Sequence, residues 1–206
     1  MMSTRERIVK EATKLFWRDG YHLVSTEAIC RAAGVRRSSL YHAFPSKADL
    51  LAASLESVWE RNWREILAIN SADAPIEVKF KRHIAWYRDS QLRLREETGV
   101  LLGTFDMALG VALPDVVVES MRAHISNITS LLQGYVTQII CSLGGQERQA
   151  VQASQIIGSI VVASNYHARL MNDATPLYQL PVLIDQVMSA FSMAPDAHHK
   201  LAEEEC

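Results

Sequence analysis

An all-α fold is predicted by three features of the chain. Apolar residues recur every three or four positions along nearly its whole length, the period of a helix with one buried face. No stretch of any length alternates polar and apolar as a strand would. Gly and Pro punctuate the periodic stretches at Gly20, Gly34, Pro45, Pro75, Gly144 and Gly145, Pro176 and Pro195. The punctuation divides the chain into short helices at the amino end and long ones after them. The expected organisation is a three-helix module over residues 1–47, a helical body over 48–194, and a frayed tail over 195–206.

The first helix is expected over 4–19. Ile8, Ala12, Leu15 and Phe16 fall on one face, and Phe16 and Trp17 are expected to pack beneath the module. Residues 25–47 then read as two short helices joined by a tight turn. Ser25 can cap the first by accepting from a free N–H of its opening turn. Ile29, Cys30 and Ala33 give it an apolar face, and Gly34 allows the left-handed geometry that ends it. Val35 plugs the corner. Leu40 and Phe44, four apart, bury the second helix, and Pro45 stops it. Arg36, Arg37, Ser38, Ser39, Tyr41 and His42 are left outside. That is the layout of a helix-turn-helix, whose second helix presents its amino-terminal half to the DNA major groove.

Gly34-Val35, Leu40-Tyr41-His42 and Phe44-Pro45-Ser46-Lys47 make residues 4–51 resemble the DNA-binding domain of TetR-type (tetracycline-repressor-like) regulators. Five positions depart from the family pattern. Cys30 stands for Ala, Arg36 for the Ser that caps the recognition helix, Ser38 and Ser39 for Gly-Thr, and Ala43 for a second His. Without the Ser, the amino end of that helix lacks its side-chain cap. The resemblance implies a helical body that binds a small molecule and pairs with its twin.

The fourth helix is expected to start at Ser46, with Asp49 in its first turn, and to run to about residue 69, roughly 36 Å. Trp59 and Trp63 lie four apart on it and are expected as core. A turn over 70–75 leads to a fifth helix over 75–97, with Phe80, Ile84, Tyr87, Gln91 and Leu94 inward. Residues 99–113 are an apolar segment. Some TetR-type regulators with a similar body carry a cysteine where this chain has Val100, so no thiol sensor is expected there. A helix from Pro114 to about 143 should bury Met121, Ile125, Ile128, Leu132, Tyr135 and Ile139. Another should span 146–172, with its apolar heart at 153–163 and small residues (Ala153, Ser154, Gly158, Ser159, Ala163) that admit a close neighbour. The last follows Thr175-Pro176 and is expected to break near Pro181, since Pro cannot donate inside a helix.

Charge is distributed unevenly. Residues 1–50 hold nine Lys and Arg against five acids, a net of +4, whereas the whole chain carries -2, so the remainder carries -6. A basic module on an acidic body fits a nucleic-acid partner for the module alone. At 206 residues and 49% hydrophobic content, the chain can fill one large or two small cores. No apolar run approaches the roughly 20 residues of a membrane span, so no membrane partner is expected. Three scattered cysteines (Cys30, Cys141, Cys206) and a charged first stretch are expected of a cytoplasmic protein. No phosphate loop, nucleophile elbow, Cys-x-x-Cys or paired helical histidines appear, so no catalytic residue, cofactor or metal is expected. His198-His199 in the tail is the sole adjacent pair of histidines.

Two functional readings stand. The first is a homodimeric, ligand-responsive transcription regulator, a repressor released from double-stranded operator DNA by a small, largely apolar effector. The second is a helical ligand carrier or interaction protein with a vestigial helix-turn-helix. The exposed basic residues favour the first. Ser25, Thr26, Ser39, Tyr41 and Lys47 are expected on phosphates, with Arg36, Arg37, Ser38 and His42 facing base edges. Trp59, Trp63, Trp86, Tyr87, His124, Asn127, Tyr135 and His167 are candidate ligand contacts. Gly158, Val162, Ile184, Val187, Met188 and Phe191 are candidate dimer contacts.

Overall fold

A computed structural model describes residues 2–98 and 113–192. The expectations for the segment around Val100 and for the tail at 195–206, with its two histidines, lie outside these residues. The described residues form eight helices and no strand: α1 (Thr4–Asp19), α2 (Thr26–Ala33), α3 (Arg37–Ala43), α4 (Lys47–Ser71), α5 (Ile76–Thr98), α6 (Asp115–Ser142), α7 (Glu147–Met171) and α8 (Thr175–Ser192).

Local chemistry accounts for the helix ends. Ser3 caps α1 by accepting from the Glu6 amide, and the Glu6 carboxylate accepts in return from the Ser3 amide, 2.7 Å away. Ser25 caps α2 through the Ala28 amide at 3.1 Å, and Ser46 caps α4 through the Asp49 amide at 3.1 Å. Gly34 closes α2 at φ 64°, where any other residue would be strained. Gly145 is needed for another reason: a Cβ there would lie 2.5 Å from the Ile140 side chain.

The amino-terminal core gathers Ile8, Ala12 and Phe16 of α1, Ile29 and Ala33 of α2, Leu40 of α3, and Phe44. It does not stop at residue 47. Leu50, Leu51 and Leu55 of α4 belong to it, and so does Val117 of α6, fully buried. Met121 and Leu94 pack against the same cluster. The first turns of α6 are thus part of the floor of the helix-turn-helix. A second core joins Phe80 and Ile84 of α5, Tyr135, Val136 and Ile140 of α6, Ala153 and Ile157 of α7, and Ile184 and Met188 of α8. A third, smaller one holds Ala168, Ala174, Leu177 and Leu180.

Three expectations are corrected. The last helix does not break at Pro181: α8 runs through it to Ser192. Leu177, Leu180 and Ile184 are buried on either side of Pro181, so packing holds the helix across the missing donor. Ile125 is 58% exposed, because α6 meets its neighbours through Val117 at one end and Leu132–Ile140 at the other. Trp59 and Trp63 are half-buried, stacked on each other with ring centroids 6.1 Å apart, and do not enter the core.

Candidate nucleic-acid interface

The face built by α2 and α3 follows from which residues the core consumes. In α3 only Leu40 is buried. Arg36, Arg37, Ser38, Tyr41 and His42 are exposed, and Ser39 is half-buried. Ser25 at the start of α2 is exposed and Thr26 half-buried beside it. Arg36 occupies the cap position of α3 with no side-chain cap hydrogen bond, as the sequence suggested. The first amides of α3 therefore remain available, and a helix amino terminus with free N–H groups favours anions.

Side chains tie the two helices together on the exposed side. The Arg37 guanidinium pairs with the Glu27 carboxylate of α2 at 2.8 Å and lies 5.5 Å from the centroid of the Tyr41 ring. The Tyr41 hydroxyl is held below its ordinary pKa, first by its hydrogen bond with Thr26 and then by that with Arg37. Lys47, at the start of α4, places its ammonium 4.5 Å from the Tyr21 ring centroid. Partial burial there pushes its pKa down. Arg5 of α1 sits 4.8 Å over the Phe44 ring. Glu27 was missed in the sequence: Glu27 and Arg37 are ten residues apart on different helices, and nothing local signals that they meet.

The residues named as ligand contacts do not form one group. Trp59, Trp63 and His124 come together, with Trp59 and His124 ring centroids 4.3 Å apart. The indole N–H of Trp86 donates to Glu65 of α4 at 2.5 Å. Tyr135 donates to Asn70, and Asn165 donates to Tyr87. Asn127 and His167 are exposed, turned away from the interior of the chain. The residues named for dimerisation divide as well. Ile184 is 1% exposed and Met188 8%, both spent in the chain's own second core, so neither offers a surface to a partner. Val187 and Phe191 pack on the edge of that core. Gly158 and Val162 lie on the outer side of α7, where Gln155, Ile156, Ser159, Ile160 and Ala163 line a shallow groove. Ile156, Val162, Tyr166 and Leu170 of α7, with Tyr178 and Val182 of α8, are large exposed apolar side chains on this part of the molecule.

Comparison with known proteins agrees with this geometry. Residues 8–54 match the family model described as bacterial regulatory proteins, tetR family. The chain is 24% identical over 189 residues to the uncharacterized HTH-type transcriptional regulator YxaF of Bacillus subtilis, covering 88% of this chain and 95% of the relative. Over 58 residues it is 38% identical to the HTH-type transcriptional regulator UidR of Escherichia coli, covering 28% of this chain and 30% of UidR. A crystal structure of a TetR transcriptional regulator from Legionella pneumophila superposes with a TM-score of 0.73 at 22% identity, covering 90% of this chain and 97% of that one. A capped α2, a left-handed Gly34 and a polar α3 make the helix-turn-helix, the fold match extends through the helical body, and over residues 8–54 the chain carries the DNA-binding region described by the tetR family model.

Proposed function

We propose that the chain acts as a homodimeric cytoplasmic repressor, released from double-stranded operator DNA when a small effector enters the helical body. Residues 1–47 serve as the reading head and 48–194 as the effector and pairing body. The observation that carries the DNA reading is α3 itself: one buried residue, an uncapped amino end, and arginine, serine, tyrosine and histidine side chains outward. Among the described residues, no helix is long and apolar enough to cross a membrane. A mobility shift with the DNA upstream of the chain's own gene tests the reading directly. A vestigial head on a carrier protein would shift no DNA.

The proposed contacts divide into positioning and reading. Ser25, Thr26, Ser39, Tyr41 and Lys47 take phosphates. Arg37 and Ser38 face base edges, joined by Arg36 and His42. Lys47→Ala should weaken binding to all sequences alike and lower the slope of log affinity against log salt by about one, the contribution of one phosphate contact. Arg37→Ala should instead relax preference at one base pair by about ten- to a hundredfold. Glu27→Gln separates the two functions of Arg37. Without the carboxylate the guanidinium is no longer steered, so binding to random DNA should tighten while preference at that base pair falls. Equal weakening of specific and random DNA by Arg37→Ala would sink the base-reading assignment.

Release is supported by the shared floor of the reading head. Val117 and Met121 of α6 pack in the same cluster as Leu40 and Phe44, and α4 joins that cluster through Leu50, Leu51 and Leu55. A ligand that shifts α6 or tilts the 25-residue α4 displaces the head. Two heads address one face of DNA only when their separation is near one helical turn, about 34–36 Å, or a multiple of it. A tenfold loss of DNA affinity requires about 1.4 kcal/mol of coupling, and operator DNA must then weaken effector binding by the same factor. An effector whose affinity is the same with and without operator, followed by tryptophan fluorescence, is not the inducer.

A further inference from the structure

His83, Tyr87 and Gln91 follow one another at intervals of four along α5, so they share one helix face. That face turns inward: His83 is 5% exposed and Gln91 6%. On α7, Asn165 is 2% exposed and donates its amide to the Tyr87 hydroxyl. α5 packs on α1, α4, α6 and α8, and it meets α7 through the Tyr87–Asn165 hydrogen bond and in the cluster where Tyr87 and Leu92 pack with Ala168. Three polar atoms on this face of α5 and on α7 find no partner among the described residues: Nδ1 of His83, Oε1 of Gln91 and Oδ1 of Asn165. Interiors seldom keep buried polar atoms unpaired, and each one calls for an explanation.

We propose that this stripe is a binding site for an uncharged aromatic molecule bearing two N–H or O–H donors. The two amide oxygens can only accept, which fixes the ligand as the donor. The neighbouring surface is aromatic: the His83 ring lies 5.5 Å from Trp86 and 5.6 Å from Tyr135, edge-on to both. Charge is disfavoured on both sides. Burial pushes His83 down to about 4, so its ring is neutral at neutral pH. Lys81, Arg82 and Arg93 of α5 are exposed, Arg88 is paired with Asp89, and Glu65 is held by Trp86 and Arg93. A carboxylate has no donor to offer the two amide oxygens, although the half-buried Arg169 lies one turn from Asn165, and an ammonium would be desolvated without a counter-charge. His124 Nδ1 is also unpartnered, but it sits apart, against Trp59, with the other ring nitrogen near Ser120 and Glu56.

The inference rests on the reading of α5–α8 as an effector-binding body, and the test separates the two. Full-length protein is titrated calorimetrically with 4-hydroxybenzyl alcohol, with its dimethyl ether, and with 4-hydroxybenzoate. The diol should bind about tenfold or more tightly than either of the others. Gln91→Met and His83→Phe replace an unpartnered atom with an apolar side chain of similar shape. Both variants, ligand-free, should melt no lower than wild type, because a buried orphan has been removed. Gln91→Met should lose about tenfold in affinity for the diol and keep its affinity for the ether. Absence of diol binding at millimolar concentration, equal affinity for diol and ether, preference for the carboxylate, or a lower melting temperature in both variants would overturn the site. Diol binding that leaves DNA affinity unchanged supports the site and overturns the release mechanism instead.

Discussion

A glutamate in place of Gly158 should leave each chain folded and separate the proposed dimer into monomers. Gly158 lies inside α7, and a Cβ built there meets nothing within 4 Å. The single chain therefore has room for a side chain, and replacing a helical Gly by a better helix former gains about 0.5–1 kcal/mol. The effect on pairing has the opposite sign. Val162 is 52% exposed and Tyr166 57%, one and two turns further along α7, with Ser159 and Ala163 in the groove between. Large apolar patches of this kind mark association surfaces, and a two-fold interface repeats every change twice. Two unpaired carboxylates facing each other across it would be desolvated without compensation. Specific DNA binding should then fall by about 10³-fold or more, since a lone head makes half the contacts. Sedimentation velocity at micromolar protein, with circular dichroism to report helix content, checks both halves. A folded Gly158→Glu chain that still sediments as a dimer would remove α7 from the interface, and a monomeric wild type would remove the dimer itself.

Leu40→Ala should abolish DNA binding by unfolding the reading surface while α7 and α8 remain intact. Leu40 is fully buried and is the only buried residue of α3. The helix has seven residues and no side-chain cap, far too few to persist without packing. Truncating a buried Leu typically costs about 2–5 kcal/mol, a large share of the total stability of a domain. Here the loss falls on an element with no second anchor inside it; Phe44 follows at its carboxyl end. Hydrogen exchange should show α3 and the end of α2 losing protection first, with the core around Ile140, Ile157 and Ile184 unchanged. Ser38→Ala, on the exposed side of the same helix, should leave stability within about 0.5 kcal/mol of wild type. A Leu40→Ala chain that binds its operator like wild type would show that α3 is held by something other than this contact.

The chain's own letters settled the reading head and little of the body, and the range of the interactions explains the difference. Capping, left-handed turns and helical spacing act within a few residues. Ser25, Gly34, Leu40, Phe44 and Pro45 therefore announced the helix-turn-helix, and the structure has Ser25 on the Ala28 amide and Gly34 at φ 64°. The missing cap at Arg36 was legible for the same reason. In the body, α6, α7 and α8 each carry more apolar residues than one neighbour can cover, and periodicity does not say which stripe a single chain uses. Packing decided it. Ile184 and Met188 went into the chain's own core, Val162 was left outside, and α8 was held straight through Pro181. Contacts between residues distant in sequence were invisible in advance. Val117 beneath the reading head, Glu27 on Arg37, and Asn165 on Tyr87 depend on where whole helices lie, which tertiary structure alone determines.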